Sequence, residues 1–285
     1  MEGTQNSVHD RVIGEIIGRT NQLTAEKVEK VLAYQKETGL RFGEAAVALG
    51  FVSNEEVLFA LAQQFHYPYS PVDKQKLNPE LVSAVQPFSK QAEAFRAIRG
   101  QVLLRAFPEG EPKRALAIIS ANAGDGKTFF AANLAIVLAQ IGARVLLVDA
   151  DLRGPRQHEV FGIENTLGLS GVLSGRAEQQ VIRQIADMPS LYLLPGGAIP
   201  PNPIELVERP AFGLLIKELV SKFDYVIVDT PAAYYGADAS ALALKCGAAL
   251  CVARQGKSKV VGIQNLLATI SAGTVKLAGV IMNEY

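Results

Sequence analysis

Six short apolar runs, each bounded by turn residues, constrain the fold of this chain more than any other sequence feature. Helical patterns separate most of these runs, and continuous apolar strands that alternate with helices indicate a parallel sheet covered on both faces. The predicted strands are residues 115–119, 145–148, 191–194, 225–228, 248–252 and 277–282. We therefore predict an α/β fold with a doubly wound, mainly parallel sheet, in which ligands bind at the carboxyl ends of the strands.

Composition and charge exclude several classes of protein. Of the 285 residues, 28 are Lys or Arg and 28 are Asp or Glu, so the formal net charge is zero and no nucleic-acid partner is expected. The two cysteines, Cys246 and Cys251, lie in apolar sequence and predict neither a disulfide framework nor a zinc site. No signal-peptide pattern and no run of 18 apolar residues is found. We expect a cytoplasmic protein that a partner recruits to the inner face of the cell membrane.

An internal repeat marks the N-terminal part of the chain. An offset of 29 residues aligns residues 12–35 with residues 41–64, and each copy has apolar positions three and four apart, as in a helix. We predict a small helical repeat domain over residues 1–73. Residues 74–90 contain two prolines and no sustained period, so a linker with a short helical turn is expected there. The larger domain is predicted over residues 91–285.

The first predicted strand of the larger domain leads into a glycine-rich loop and then a helix. Gly124 and Gly126 allow successive N–H groups to point inward, and the helix N-terminus adds a partial positive charge. Lys127 would reach the β- and γ-phosphates of a nucleotide, and the Thr128 hydroxyl would bind Mg²⁺. The loop is a variant, because Ala121 stands where the common form has its first glycine.

Acidic residues follow two other predicted strands. Asp149 and Asp151 come after residues 145–148, and Asp229 comes after residues 225–228. Because residues two apart on an extended chain face the same side, Asp149 and Asp151 can both address one metal–phosphate region. Arg153 either clamps phosphate or pairs with one of these aspartates.

These motifs resemble those of the bacterial tyrosine kinases that accompany exopolysaccharide chain-length determinants. Residues 120–128, 145–153 and 225–231 match the Walker A, Walker A′ and Walker B motifs of that family. Residues 200–206 match its proline-rich segment, and residues 93–99 match its Glu-x-x-Arg-x-x-Arg segment. The resemblance covers about residues 85–285, and the chain is most similar to the free-standing EpsG-type kinases.

The resemblance implies an ATP-dependent protein tyrosine autokinase that regulates exopolysaccharide polymerisation, chain length and export. Its partner would be a membrane chain-length determinant, or polysaccharide copolymerase, protein. It also implies that Asp149 accepts or orients the tyrosine hydroxyl proton, and that Asp151 and Asp229 bind Mg²⁺ directly or through its waters. The implied nucleotide-binding residues are Gly124, Asp125, Gly126, Lys127, Thr128 and Phe129, with Asn283 at the adenine.

The charged segment before the first strand has two interpretations. Glu93, Arg96 and Arg99 lie three apart on a predicted helix and so share one side of it. That side is either a solvated charged face or, as the resemblance implies, a contact in a homo-oligomer such as a ring.

The sequence also departs from the family pattern. Family members end in a cluster of tyrosines, whereas only Tyr285 stands at this C-terminus, so the candidate phosphoacceptors are Tyr285 and the adjacent Tyr234 and Tyr235. The alternative function is a regulatory ATPase or nucleotide-gated adaptor similar to the partitioning ATPases. Those carry a signature lysine where this chain has Asn122, a difference that favours the kinase.

The N-terminal repeat resembles a second family. Arg41, Gly43 and Gln64, with their neighbours, are similar to the repeated motif of the MshE-type N-terminal domain of secretion and pilus ATPases, which binds cyclic di-GMP. A basic side chain and glycine turns suit a ligand that carries phosphate. The alternatives are a protein-docking role and a purely structural one.

Overall fold

The structure is a computed structural model that describes residues 16–17, 23–64, 77–176, 181–186 and 188–284. The chain divides into two units, Met1–Lys76 and Leu77–Tyr285. Within the described ranges, no helix combines the length and the apolar character needed to cross a bilayer.

The described part of the smaller unit is helical. Its helices are α1 (Ala25–Thr38), α2 (Phe42–Ala48) and α3 (Asn54–Gln64), and they share a core that includes Val31, Phe42 and Val52. A Cβ at Gly43 would lie 2.6 Å from Val57 Cγ1, so the glycine permits close packing of α2 against α3. Residues 12–15 and 18–22 of the predicted first repeat copy lie outside the described residues.

The larger unit is built on a seven-stranded sheet of order β3-β4-β2-β5-β1-β6-β7. Its strands are β1 (Ala115–Ile119), β2 (Val145–Asp149), β3 (Arg183–Ile185), β4 (Met188–Leu194), β5 (Tyr225–Asp229), β6 (Gly247–Arg254) and β7 (Lys276–Asn283). All neighbouring pairs are parallel except β3 with β4. The predicted mainly parallel sheet is confirmed, and the antiparallel edge strand β3 was not predicted.

Helices cover both faces of this sheet. They are α4 (Val82–Val85), α5 (Lys90–Ala106), α6 (Lys127–Ala139), α7 (Gln157–Phe161), α8 (Leu169–Leu173), α9 (Pro203–Glu208), α10 (Pro210–Lys222), α11 (Asp238–Cys246) and α12 (Val260–Ser271). One core joins α5 and α6 to the sheet, through residues such as Phe95, Val102 and Leu134. A second core joins α10, α11 and α12 to the other face, through residues such as Phe212 and Leu242. The doubly wound arrangement is therefore confirmed.

The segment before α5 packs on the larger unit. Leu81 is fully buried in the core beside α6. The buried Asn133 of α6 donates to Glu80 O at 2.8 Å and accepts from Ser83 N at 2.8 Å, and Gln140 donates to Ser83 O at 2.9 Å. The structure thus differs from the predicted linker over 74–90, because from Leu77 onward the chain belongs to the larger unit.

Replacing Asn133 by leucine is expected to lower the free energy of unfolding by about 2 to 3 kcal/mol. Leucine has a similar shape but leaves the buried Ser83 N–H and Glu80 carbonyl without their partner, and each such loss costs about 1 to 3 kcal/mol. Chemical denaturation measures the change. The matched control is Asn265→Leu at an exposed position of α12, where less than about 0.5 kcal/mol is expected. Equal effects of the two substitutions would contradict the role of Asn133.

Candidate active site

The glycine-rich loop between β1 and α6 has the backbone that a phosphate cradle needs. Gly124 and Gly126 have φ angles of 78° and 94°, a region that L side chains rarely adopt. A Cβ at position 126 would also overlap the side-chain amide of Asn283. Both glycines are therefore required by the loop conformation itself.

A residue that follows β6 and the last residue of β7 hold this loop. Asn283 Nδ2 donates to Asp125 O at 3.1 Å. The Asp125 carboxylate is 2% exposed and accepts from Ser258 Oγ at 2.7 Å and from Asn122 N at 3.1 Å. Asn283, which the resemblance assigns to adenine, thus contacts the loop in this structure, and Ser258 is a contact that the sequence analysis did not include.

Lys127 lies at the first position of α6 with its side chain largely buried. Only 6% of the residue is exposed, and Nζ donates to Ser120 Oγ at 3.0 Å. Ser120 Oγ donates in turn to Asn122 O at 2.7 Å. The ammonium group is therefore held beside the loop by a neutral hydroxyl, without a carboxylate at ion-pair distance among the described residues.

A cavity of about 1020 Å³ opens over the loop, and we call it the loop cavity. Among the predicted site residues it is lined by Gly124, Gly126, Lys127, Thr128, Phe129, Asp151 and Asn283. Other lining residues include Arg153, Arg156, Tyr235 and Arg254. The predicted residues Asp125, Asp149 and Asp229 are buried and do not line it.

Asp149 and Asp229 are neighbours across the sheet. They are register partners at the ends of β2 and β5, and both are at most 1% exposed. Asp149 Oδ2 accepts from Arg156 N and Gln157 N, each at 2.9 Å. The buried Gln157 amide donates to Asp229 Oδ2 at 2.9 Å. Gln157 thus links two predicted site residues, and no spacing in the sequence points to it.

The buried carboxylates have raised pKa values. Burial raises the pKa of Asp149 well above its usual range, and the nearby Asp229 charge raises it further. Burial raises the pKa of Asp229 to about 6, against the opposing influence of the Lys127 charge. Burial also raises the pKa of Asp151. Ionisation of these three carboxyl groups therefore costs free energy unless a cation lies beside them.

The site fits a hard divalent cation. Asp229 Oδ1 is buried and has no hydrogen-bond partner in the described part of the chain. The predicted ligands are the Thr128 hydroxyl and the carboxylates of Asp151 and Asp229, which are the oxygen donors that Mg²⁺ prefers. In the described ranges, no three His, Cys, Asp or Glu side chains are arranged to hold a metal alone. Such an ion would then depend on phosphate oxygens of a nucleotide for part of its coordination.

Asp229→Asn is expected to stabilise the nucleotide-free protein by about 1 to 2 kcal/mol at pH 7.5. The pKa of Asp229 is about 6 in the folded protein, above the ordinary value of 3.8 in the unfolded chain. The wild-type protein therefore loses stability as the pH rises from about 3.8 to about 6, whereas the variant, which has no proton to lose at this position, does not. Denaturation at pH 4 and pH 7.5 should show the difference between the two proteins only at the higher pH. A less stable variant at pH 7.5 would contradict this account of Asp229.

Two arginines that line the loop cavity form ion pairs with carboxylates. Arg153 makes two hydrogen bonds to the buried Asp238, at 3.1 Å from Nε and 3.0 Å from Nη2. The structure thus pairs Arg153 with Asp238 and not with any of the three aspartates considered, and a role of Arg153 in binding phosphate stays a prediction. Arg156 pairs with Glu80.

The residues predicted to form subunit contacts bind within their own chain. Arg96 pairs with Glu93 at 2.6 Å and also donates to Pro87 O. Arg99 Nη1 donates to Val137 O of α6 at 2.7 Å. The Glu93 side chain is the most exposed member of its ion pair, at 72%. A contact between subunits through this segment stays a prediction.

The remaining predicted residues are Tyr285 and those of the smaller unit, and the structure describes only some of them. Tyr285 and the side chain of Gln64 lie outside what the structure describes. Arg41 is exposed, and its backbone N–H donates to Glu44 Oε2 at 3.0 Å. Gly43 is explained by helix packing. Binding of cyclic di-GMP by this unit stays a prediction.

Comparison with known proteins agrees with this site. Residues 116–285 match the model of the CobQ/CobB/MinD/ParA nucleotide binding domain. The chain is 34% identical over 208 residues to the tyrosine-protein kinase YwqD of Bacillus subtilis, covering 73% of this chain and 87% of YwqD. It is 32% identical over 205 residues to the tyrosine-protein kinase wzc of Salmonella typhi, covering 72% of this chain but only 28% of wzc.

Solved structures give the same result. The kinase domain of the Escherichia coli tyrosine kinase ETK superposes with a TM-score of 0.67 at 33% identity, covering 71% of this chain and 79% of that domain. The septum site-determining protein MinD of Pyrococcus horikoshii, complexed with Mg-ADP, superposes with a TM-score of 0.52 at 29% identity, covering 60% and 70%. The larger unit is thus a P-loop nucleotide-binding domain. The chain belongs to the family of bacterial tyrosine-protein kinases.

Proposed function

We propose that this chain is an ATP-dependent protein tyrosine kinase. The observation that carries the proposal is the loop cavity, where the phosphate loop, Lys127, Thr128 and Asp151 meet in a chain of this family. Phosphoryl transfer depends mainly on positioning and on neutralised phosphate oxygens, and this cavity supplies groups for both.

The groups around the phosphate loop have a place in that reaction. Lys127 would exchange its hydrogen bond to Ser120 for bonds to the β- and γ-phosphate oxygens. Thr128, Asp151 and Asp229 would hold Mg²⁺, which would neutralise charge on the transferred group. The loop N–H groups and the N-terminus of α6 would hold the remaining phosphate oxygens.

The acceptor for the tyrosine proton has two candidates. The family resemblance assigns this role to Asp149, whose carboxylate lies beneath the cavity and accepts backbone N–H bonds on Oδ1 and Oδ2. Because Asp149 is buried, its carboxylate would have to become exposed before a tyrosine hydroxyl could contact it. Asp151 already lines the cavity and is the alternative acceptor.

We further propose that the kinase regulates exopolysaccharide polymerisation, chain length and export. The support is the family's set of motifs, including residues 93–99 and 200–206. A membrane chain-length determinant protein would recruit the chain from the cytoplasm to the membrane, and the exposed Glu93 would contribute to a homo-oligomer.

A regulatory ATPase without kinase activity is the second candidate. The similarity to MinD complexed with Mg-ADP favours it, because the shared fold serves nucleotide binding in both. In that case ATP hydrolysis would proceed without any phosphotyrosine.

Incubation of the purified full chain with Mg²⁺ and γ-labelled ATP tests the proposal. Phosphotyrosine and free phosphate are measured separately, with a random Glu–Tyr copolymer as an added acceptor. We expect labelled tyrosine, and Lys127→Ala should remove it. Free phosphate without labelled tyrosine on either acceptor would replace the kinase by the ATPase.

A further inference from the structure

One buried amide contacts the site from beneath the loop cavity. Gln157, the first residue of α7, is 0% exposed and does not line the cavity. Its Nε2 donates to Asp229 Oδ2 at 2.9 Å and to Thr128 O at 3.1 Å, and its backbone N–H donates to Asp149 Oδ2 at 2.9 Å. Gln157 therefore contacts two residues that are predicted Mg²⁺ ligands, and the proposed reaction assigns it no role.

The amide distinguishes the two carboxylate oxygens of Asp229. The hydrogen bond from Gln157 holds Oδ2, whereas Oδ1 is buried and has no hydrogen-bond partner among the residues that the structure describes. A carboxylate held at one oxygen is restricted in its rotation, and its other oxygen stays available to a cation. Hydrogen bonds from residues that do not touch the metal commonly orient its ligands in this way.

An amide suits this place because it donates a hydrogen bond without bringing a charge. The carboxylates of Asp149 and Asp229 are register partners, and both are buried. A Lys or Arg side chain at position 157 would compensate the negative charge that attracts Mg²⁺, and a carboxylate would repel both aspartates. Stability alone does not explain the amide, since Gln157 Oε1 is itself buried and lacks a hydrogen-bond partner in the described part of the chain.

We propose that Gln157 is a positioning residue, whose amide orients Asp229 as a ligand for the Mg²⁺ that accompanies a bound nucleotide. The inference rests on the proposed Mg-ATP chemistry. Because Nε2 also donates to Thr128 O, the amide links the end of β5, which carries one predicted ligand, to the first turn of α6, which carries another. Gln157 binds neither the ion nor the nucleotide and acts through Asp229.

Nucleotide binding with and without Mg²⁺ tests this role. The full chain is titrated at pH 8 with mant-ADP, a fluorescent ADP analogue, first in EDTA and then at rising MgCl₂ concentrations. Gln157→Leu keeps the backbone N–H that binds Asp149 and removes the side-chain amide. The Mg²⁺ concentration for half-maximal enhancement of binding should rise about tenfold or more, as is typical when the partner of a metal ligand is lost. The affinity for mant-ADP in EDTA should change less than twofold.

Gln140→Leu is the matched control. Gln140 also donates a side-chain hydrogen bond, to Ser83 O at 2.9 Å, and its Oε1 is likewise buried without a partner among the described residues. It lies at the opposite end of α6 from Lys127 and does not line the loop cavity. Its replacement should leave both the Mg²⁺ requirement and the affinity in EDTA within twofold of the wild-type values.

Three results would overturn the inference. An unchanged Mg²⁺ requirement in Gln157→Leu would exclude the positioning role and leave the proposed kinase standing. If Gln157→Leu does not bind mant-ADP in EDTA, Gln157→Met, which keeps the length of the side chain, replaces it, and the same loss there would assign Gln157 to the fold alone. A wild-type chain whose mant-ADP binding does not respond to Mg²⁺ would overturn the proposed Mg-ATP chemistry together with this inference.

Discussion

Lys127→Ala is expected to lower ATP-dependent tyrosine phosphorylation at least 100-fold. Nζ is the one ammonium group that lines the loop cavity beside the phosphate loop, among the residues that the structure describes. Loss of a single donor to developing charge typically costs about 10²- to 10³-fold in rate. Initial rates on the Glu–Tyr copolymer measure the effect.

The fold should tolerate this substitution. Ser120 Oγ keeps its hydrogen bond to Asn122 O after Lys127 is removed, so no buried hydroxyl is left without a partner. Lys217→Ala, at an exposed position of α10, is the matched control and should keep the wild-type rate. A Lys127→Ala chain that folds and keeps a third or more of the rate would exclude the phosphate-binding role.

Asp149→Asn is expected to reduce phosphotyrosine formation about 100-fold while nucleotide affinity changes less than threefold. Proton acceptance by a positioned side chain typically contributes about 10²- to 10⁴-fold to a rate. Asparagine keeps an oxygen for the N–H groups of Arg156 and Gln157 and loses only the 3.3 Å hydrogen bond from Asp151 N, but it cannot take a proton. Rates and the dissociation constant for Mg-ADP together separate chemistry from binding.

Asp151→Asn is the informative companion variant. Asp151 lines the cavity as a predicted Mg²⁺ ligand, so its replacement should weaken Mg-nucleotide binding as well as the rate. If Asp149→Asn keeps the wild-type rate and Asp151→Asn loses it without weaker binding, the proton acceptor is Asp151. Asp224→Asn, at an exposed position just before β5, controls for the loss of one negative charge, and asparagine keeps an oxygen for the Arg144 N–H that Asp224 accepts.

Most strands were predictable because nearly all of their residues are buried in the apolar core. β1, β2 and β5 are buried along almost their whole length, which produces the continuous apolar runs of a sheet covered on both sides. β3 differs, since Arg183 and Gln184 are exposed on a three-residue edge strand. An apolar run cannot mark a strand of that kind.

The site was predictable where its residues are close in sequence. The loop, Lys127 and Thr128 form one continuous motif, and Asp151 follows a strand end. Gln157 and Ser258 were not predictable, since their contacts with Asp229 and Asp125 span 72 and 133 residues. Such pairs become neighbours only through the strand order, which the sequence pattern does not contain.

Residues 77–83 pack on α6, and the border between the two units lies only a few residues along the chain from the lining of the loop cavity. Leu77 and Asn78 alone separate Lys76, at the end of the smaller unit, from Pro79 in the cavity lining. Glu80 pairs with Arg156, and Arg156 N donates to Asp149. The segment that opens the larger unit is therefore joined to a buried carboxylate of the site through the side chains of only two residues, Glu80 and Arg156.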